Sequence, residues 1–242
     1  MADNDGLSWK GYEGQDYETF WTGPGKRYLD ALEQAIVART LPGGDSIVEI
    51  GAGFGRLGRS YVSRYRHVHM VEPASNLLAI AARTYGDAVT FHDASVLDLP
   101  FQASFLDAAL MVRVFHHLRD PEKALREIYR VLKPKGILVF NYSNRRNIRR
   151  IAGYLIGRTP NPFNSGAEQY NPALIGHTPA DVEALLRGIG FDIQSQYGVG
   201  LIDKLIERFP SAGRIVKPSL LLSRLAGAVK MSPAQFVVAE KR

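Results

Sequence analysis

Short runs rich in β-branched residues alternate with helical patterns through the middle of the chain, and this alternation limits the possible folds more than any other feature. Strands separated by helices form βαβ units with a parallel sheet, and right-handed crossovers place the helices on both faces. We therefore predict an α/β fold whose ligand binds beyond the carboxyl ends of the strands. The predicted strands are Asp45–Ile50, His67–Glu72, Ala88–His92, Asp107–Val112, Ile137–Tyr142, Phe191–Tyr197 and Ala234–Glu240.

The pattern divides one predicted domain, residues 1–242, into a core and accessory segments. A cap segment and a helix fill residues 1–40, and the core covers residues 41–142. Within the core, one helix is expected to run from the glycine-rich turn after the first strand to about Tyr65. Two insertions, 143–176 and 199–232, carry apolar residues at helical spacing, which predicts a lid or an acceptor pocket.

Composition and charge exclude several classes of protein. The chain has no cysteine, which excludes disulfides, thiolate metal sites and a cysteine nucleophile. No run approaches the ~20 apolar residues of a membrane span, and the polar N-terminus does not resemble a signal peptide, so we expect a cytoplasmic protein. Residues 144–242 carry 14 Lys and Arg against 7 Asp and Glu. This positive charge indicates either an anionic partner or a solvated basic surface.

A glycine-rich turn follows the first predicted strand and is the most informative motif. Gly51, Gly53 and Gly55 let the backbone turn sharply and approach a ligand closely. Together with Gly58, the spacing also matches the G-x-G-x-x-G of dinucleotide sites, so glycine spacing leaves a nicotinamide or flavin cofactor open. Glu49, just before the turn, would oppose a pyrophosphate. It therefore favours a ligand with a cationic part, unless it pairs with a neighbouring arginine.

Two more carboxylates follow the next two predicted strands. Glu72 can accept hydrogen bonds from both hydroxyls of a ribose, or it can cap the following helix. Asp93 can accept a hydrogen bond from an exocyclic amine such as adenine N6, or it can form an Asx turn. Because three acidic residues end three successive strands, we favour a positively charged nucleoside as the ligand.

As a set, these motifs resemble those of class I S-adenosylmethionine-dependent methyltransferases, and most of all the small-molecule branch called methyltransferase type 11. The resemblance covers about residues 40–142, the helix and strand near 178–197 and the last strand. It implies a doubly wound, Rossmann-like, seven-stranded sheet with an antiparallel last strand and helical insertions after strands 5 and 6. The motifs are the turn from Glu49 to Gly55, Glu72, Asp93-Ala94 with Leu99-Pro100-Phe101, and Leu132-Lys133-Pro134-Lys135-Gly136.

The resemblance also implies an activity and a cofactor. The activity is methyl transfer from S-adenosylmethionine to a small or lipid-like acceptor by direct in-line displacement, without a metal. Gly51 and Gly53 would lie against the methionine part, Glu72 would bind the ribose and Asp93 the adenine. The full set of expected cofactor-binding residues is Glu49, Gly51, Gly53, Gly55, Glu72, Pro73, Asp93, Ala94, Val112 and Arg113.

A general base is needed only where the acceptor is a hydroxyl or a carbon acid. The candidates are His116, His117 and Tyr142, with His177 as a further one, although the histidine pair more commonly packs the loop or lines the site. The aromatic segment before the first helix could close over the cofactor through Tyr17 or Trp21.

The sequence leaves three other functions open. They are an NAD(P)-dependent oxidoreductase, a non-catalytic S-adenosylmethionine-binding module and an RNA methyltransferase. The last is suggested by the excess positive charge of residues 144–242, where arginines also crowd the start of a predicted amphipathic helix at about 145–158. Such a helix could be a lid packed on the sheet domain, a peripheral membrane contact or a nucleic-acid contact. We favour the small or lipid-like acceptor, because no N-P-P-[YF] motif follows the fourth strand.

Overall fold

A seven-stranded mixed sheet forms the centre of the computed structural model, which describes residues 18–171, 174–211 and 218–242. The strands are β1 (Gly44–Ile50), β2 (Tyr65–Val71), β3 (Thr90–His92), β4 (Leu106–Met111), β5 (Leu132–Ser143), β8 (Phe191–Val199) and β9 (Ala234–Lys241), and β6 (Glu168–Asn171) and β7 (Leu174–Gly176) form a separate hairpin. The sheet order is β3-β2-β1-β4-β5-β9-β8, and β9 runs antiparallel to both of its neighbours. The predicted seven-stranded, Rossmann-like sheet with an antiparallel last strand is therefore confirmed.

The helices begin and end largely where local sequence signals predict. They are α1 (Pro24–Thr40), α2 (Ser75–Tyr85), α3 (Pro121–Val131), α4 (Ile148–Leu155), α5 (Pro179–Ile189), α6 (Asp203–Arg208) and α7 (Leu220–Val229). At the start of α3, the Asp120 carboxylate accepts a hydrogen bond from the backbone N–H of Lys123 at 3.0 Å. This bond satisfies one of the N–H groups that every helix start leaves without a partner.

The helix expected between the glycine turn and Tyr65 is wrong. Residues 51–64, all of them described, contain two short 3-10 turns, Gly58–Ser60 and Val62–Arg64, and no α-helix. The reason is tertiary, because side chains of α1 and α2 bind carbonyl groups that helical hydrogen bonds would use, and the Tyr85 hydroxyl donates to the carbonyl of Gly55 at 2.8 Å. Gln34 donates from Nε2 to the carbonyl of Arg56 at 2.7 Å.

Both faces of the sheet are buried, which explains the nearly continuous apolar runs of its parallel strands. Neighbouring residues of β1 point to opposite faces, so Val48 packs in one apolar cluster and Ile47 in the other. The first cluster includes Leu125 of α3 and Leu186 of α5, and the second includes Ile36 of α1. The core thus fixes the carboxyl ends of the strands, where the expected ligand site lies.

The two insertions differ in part from their prediction. The hairpin of β6 and β7 lies in the insertion 143–176, where the sequence predicts no strand. The apolar face of α4 does not pack on the sheet domain as a lid, since none of its eight residues is buried. Instead its arginines turn inward, because Arg149 and Arg150 pair with Asp203 and Glu168. Across the described ranges, no helix is long and apolar enough to cross a membrane.

Candidate cofactor and active site

A cleft opens at the carboxyl ends of β1, β2 and β4, at the edge of the sheet where the sequence predicts a ligand. Its empty volume is about 930 Å³, part of it open to solvent. It is lined by Trp21, Glu49, Ile50, Gly51, Ala52, Gly53, Phe54, Arg56, Leu57, Val71, Glu72, Pro73, Leu77, Ala94, Ser95, Val96, Val112, Arg113, Val114 and His117. The apolar walls with a few polar groups are typical of a small-molecule site.

The glycine turn forms the floor of this cleft. Gly51 and Gly53 have φ values of +66° and +57°, a left-handed conformation that favours glycine. A Cβ on Gly51 would collide with Val114, whereas a Cβ on Gly53 would meet no atom within 4 Å. Gly51 is therefore needed for packing, and the open space at Gly53 lets a ligand approach the backbone.

Glu49 lies beneath the turn and is only 3% exposed. Its Oε2 accepts a hydrogen bond from the hydroxyl of Tyr61 at 2.6 Å. Burial raises the pKa of Glu49 to about 7, although the Tyr61 hydrogen bond and the nearby Arg56 oppose the rise. The alternative in which Glu49 pairs with an arginine is not observed among the described residues, because Arg56 pairs with Asp30 and Glu33 instead.

Glu72 joins the glycine turn to the start of α2. Its Oε2 accepts from the backbone N–H of Gly53 at 2.8 Å, and its Oε1 accepts from that of Ala74 at 3.0 Å. Burial raises the pKa of Glu72, while these two hydrogen bonds act in the opposite direction. A carboxylate has about four acceptor positions, so Glu72 can position the turn and still accept hydrogen bonds from a ligand.

The remaining expected cofactor residues divide into two groups. Pro73, Ala94, Val112 and Arg113 line the cleft with Glu49, Gly51, Gly53 and Glu72. Asp93 is exposed at the end of β3 and does not line the cleft, although its charge acts on Glu72. Gly55 also lies outside the lining, because the position that a side chain would occupy there faces the ring of Tyr85.

Only one of the candidate bases, His117, reaches the cleft within the described residues. Its neighbour His116 lies outside the lining, and burial lowers the pKa of His116 well below the ordinary value. Tyr142 and His177 pack against Phe115, with ring centroids 6.3 Å and 4.9 Å from it, and line no part of the cleft. Burial raises the pKa of Tyr142 and lowers that of His177 to about 4.

A buried ion cluster on one wall of the cleft was missed by the sequence analysis. Glu33 of α1 is fully buried and accepts from Arg56 at 2.6 Å and from Arg113 at 2.7 Å. Both arginines line the cleft, and their charges hold the pKa of Glu33 below its ordinary value despite burial. The only sequence signal is a carboxylate among the apolar positions Leu29 and Ile36 of a predicted helix.

Trp21 covers this cluster from the side of the cleft. Its ring lies 3.7 Å from the guanidinium carbon of Arg56 and 4.7 Å from that of Arg113, measured to the ring centroid. Trp21 is therefore placed where the sequence expects a cofactor contact, and the other expected contact, Tyr17, lies outside the described residues. Among the described residues, no group of three or more His, Asp or Glu side chains has the arrangement of a metal site.

Comparison with known proteins agrees with this geometry. A family model described as a methyltransferase domain matches residues 48–140. The demethylmenaquinone methyltransferase of Thermus thermophilus is 31% identical over 177 residues, covering 64% of this chain and 80% of that protein. An uncharacterized methyltransferase of Oceanobacillus iheyensis is 30% identical over 98 residues, covering 40% of this chain and 46% of that protein. The chain thus matches about half the length of the latter relative.

A solved structure shares the fold at lower identity. It is an S-adenosylmethionine-dependent methyltransferase of Thermotoga maritima, described as a possible histamine N-methyltransferase, with a TM-score of 0.63 and 21% identity. The match covers 94% of this chain and 95% of that one, so the whole architecture is shared. With the family match, the Thermus relative and the cleft described above, the chain belongs to the S-adenosylmethionine-dependent methyltransferases.

Proposed function

We propose that the protein transfers a methyl group from S-adenosylmethionine to a small or lipid-like acceptor by direct in-line displacement, without a metal. The observation that carries this proposal is the pair of buried carboxylates, Glu49 and Glu72, around a glycine turn that is open at Gly53. When bound, S-adenosylmethionine supplies a methyl group that is already activated by a positively charged sulfur. Carboxylates in a cleft suit that charge, whereas unpaired buried carboxylates are costly.

The residues of the cleft fit separate parts of this cofactor. Glu49 attracts positive charge, and Glu72 accepts hydrogen bonds from the ribose hydroxyls while it positions the turn. Gly51 and Gly53 lie against the methionine part. Asp93, which precedes the cleft-lining Ala94, remains our candidate for the adenine amine, because a carboxylate accepts from an N–H donor.

The protein accelerates this reaction mainly by positioning and by excluding water. Holding two reactants in line can lower a barrier by about 7–11 kcal/mol. Trp21, Arg56 and Arg113 form a packed wall on one side of the cleft. Where the acceptor is a hydroxyl, we assign the role of general base to His117, because it is the candidate that lines the cleft.

Two of the alternative functions, the oxidoreductase and the RNA methyltransferase, fit the geometry less well. A dinucleotide would bring its pyrophosphate close to Glu49 and Glu72, which repel an anion. An RNA contact through α4 would lack Arg149 and Arg150, because they pair with Asp203 and Glu168. A non-catalytic module would have the same cofactor cleft but no turnover. A cytoplasmic location remains a prediction from the sequence.

Calorimetry and a turnover assay test the proposal. We expect S-adenosylhomocysteine to bind and NADH and NADPH not to bind. Purified protein with S-adenosylmethionine should methylate at least one member of a panel of amines, phenols and quinols with and without isoprenoid chains. Tight NAD(P) binding without S-adenosylhomocysteine binding would establish the oxidoreductase instead. Cofactor binding with no turnover on the panel would favour the non-catalytic module.

A further inference from the structure

The helix α7 presents its apolar side chains to solvent. Leu221, Leu222, Leu225 and Val229 lie within one third of its circumference and are 57% to 69% exposed. The opposite side carries small, buried residues, and Gly227 there packs directly on the backbone of β8. A surface helix normally has the reverse arrangement, with its apolar side inward.

The helices α4 and α6 repeat this arrangement. On α4, Ile148, Leu155 and the following Ile156 face outward, and Leu155 is 77% exposed. The segment around α6 exposes Leu201, Leu205 and Phe209, which are spaced four residues apart, while Ile206 faces the protein. Isolated exposed apolar residues are ordinary on a protein surface, but repeated outward faces indicate an interaction site.

All three helices lie at the edge of the sheet that contains the cleft. β5 and β8 run in the same direction, and α4 and α6 follow their carboxyl ends. Arg149 joins α4 to α6 through the carbonyl of Leu201 at 3.1 Å, and Asn144 joins the start of α4 to the end of α7 through the carbonyl of Lys230 at 2.9 Å. We call the outward sides of α4, α6 and α7 the apolar edge surface.

The apolar edge surface adjoins the mouth of the cleft. Glu207 of α6 accepts from the backbone N–H of Gly25 at 2.7 Å, at the start of α1. Trp21, which lines the cleft, lies four residues before Gly25. A molecule held at the α6 part of the apolar edge surface is therefore close to the wall of the cofactor cleft.

The charges beside these apolar faces indicate what covers them. Arg146, Arg158 and Arg224 are exposed, and none of them pairs with a carboxylate of the described residues. The carboxylates of Glu168 and Asp203 are already engaged by Arg145, Arg149 and Arg150. A second copy of the chain would therefore bring like charges face to face, and a nucleic acid would leave the leucines in water. An anionic lipid surface complements both features.

We propose that the apolar edge surface docks the protein on an anionic lipid bilayer. The leucines and isoleucines enter the boundary between head groups and acyl chains, and the arginines contact lipid phosphates. A lipid-like acceptor could then pass from the bilayer to the cleft without crossing water. This last step rests on the proposed function, whereas docking itself does not.

Co-sedimentation with vesicles tests the docking. We expect the protein to sediment with phosphatidylcholine–phosphatidylglycerol vesicles, and to do so less with phosphatidylcholine alone or at high salt. Leu155→Asp and Leu222→Asp should each weaken binding to the mixed vesicles by about tenfold or more, because each removes one exposed leucine that the bilayer would bury. Phe105→Asp is the matched control, because Phe105 is also exposed but precedes β4 at the opposite edge of the sheet.

A second pair of variants tests the charge without disturbing the apolar faces. Arg158→Gln and Arg224→Gln should each weaken vesicle binding by about fivefold. Failure of the wild-type protein to sediment, or equal losses in the Phe105→Asp control, would overturn the proposal. A dimer in solution that Leu222→Asp dissociates would also overturn it. Salt-dependent binding to RNA without binding to vesicles would do the same.

Calorimetry with S-adenosylhomocysteine on the same proteins separates this proposal from the proposed function. If the wild-type protein binds S-adenosylhomocysteine but not vesicles, only the docking proposal fails. If it binds vesicles but not S-adenosylhomocysteine, only the proposed function fails. The surface variants should bind S-adenosylhomocysteine as the wild type does, which also shows that they remain folded.

Discussion

Glu49 is the residue whose ionisation we expect to control cofactor binding. Burial raises the pKa of Glu49 to about 7, and a ligand with an ammonium or sulfonium group favours its charged form. The affinity for S-adenosylhomocysteine should therefore increase as the pH rises through about 7 and level off above it. Glu49→Gln should bind about tenfold or more weakly and show no such step, because a charge-assisted hydrogen bond is lost. Calorimetry between pH 6 and pH 8, a range of about two units around this pKa, measures both effects.

Tyr61→Phe is the control for this prediction. The Tyr61 hydrogen bond lowers the pKa of Glu49, so its removal should move the step in affinity to higher pH. A step that stays in place in Glu49→Gln would show that another group is responsible.

Glu33 holds the two arginines at the wall of the cleft, and its loss should destabilise the fold. Glu33→Gln would leave Arg56 and Arg113 partly buried without their common carboxylate. Breaking a buried ion pair costs about 3–5 kcal/mol, so the free energy of unfolding in urea should fall by about that amount. Glu122→Gln, which breaks the exposed pair with Arg126, should cost less than about 1 kcal/mol. Equal effects of the two substitutions would contradict the importance of the buried cluster.

Site residues that end predicted strands could be identified from the sequence, whereas partners brought together from a helix and two loops could not. Glu49 and Glu72 follow directly from strand ends, because every parallel strand brings its carboxyl end to one edge. Glu33 meets Arg56 and Arg113 across 23 and 80 residues of sequence. No periodic pattern connects such partners, so the cluster became visible only in the structure.

Among the elements, α3 shows how far local signals determine helix starts. The Asp120 carboxylate accepts from the backbone N–H of Lys123, and Pro121 occupies the first helical position. Asp120→Ala should lower the free energy of unfolding by about 1 kcal/mol, measured by urea denaturation. Asp120→Asn keeps an acceptor oxygen, so its free energy of unfolding should fall much less. The capping interpretation is wrong if both variants lose the same amount.

Local signals fail where neighbouring elements supply the hydrogen bonds. The segment after the glycine turn has a sequence that favours a helix, but Gln34 of α1 binds the carbonyl of Arg56 and the segment forms 3-10 turns instead. The amphipathic pattern of α4 was recognised, yet periodicity identifies an apolar face without saying whether it faces the protein. Which face of α4 turns toward the protein depends on Asp203 and Glu168, because they pair with Arg149 and Arg150.

At the scale of the whole molecule, the fold was predictable because every βαβ unit must place its two strands in parallel and cross over with the same hand. Alternating patterns imply a parallel sheet, and right-handed crossovers limit the strand order. The acceptor side was not predictable in the same way. It is built from insertions 143–176 and 199–232, whose packing depends on ion pairs between distant segments such as Arg149 and Asp203.

The pH dependence of stability combines opposing groups from the whole molecule. Burial lowers the pKa of His69 and of His177 to about 4, so the unfolded chain binds more protons between about pH 6.5 and pH 4. Stability from these histidines is therefore lost as the pH falls through that range. Glu49 acts in the opposite direction, because burial raises its pKa to about 7. The stability that the folded protein loses through Glu49 therefore grows as the pH rises from about 4.5.

We expect the histidines to outweigh Glu49, because burial also lowers the pKa values of His92 and His116. The free energy of unfolding should then decrease as the pH falls from about 6.5 to about 4. Glu49→Gln removes the opposing contribution, so its decrease should be steeper than that of the wild type, whereas His69→Gln should make it shallower. Urea denaturation at a series of pH values measures all three slopes. A shallower slope in Glu49→Gln would show that this carboxyl group is not held with a raised pKa in the folded protein.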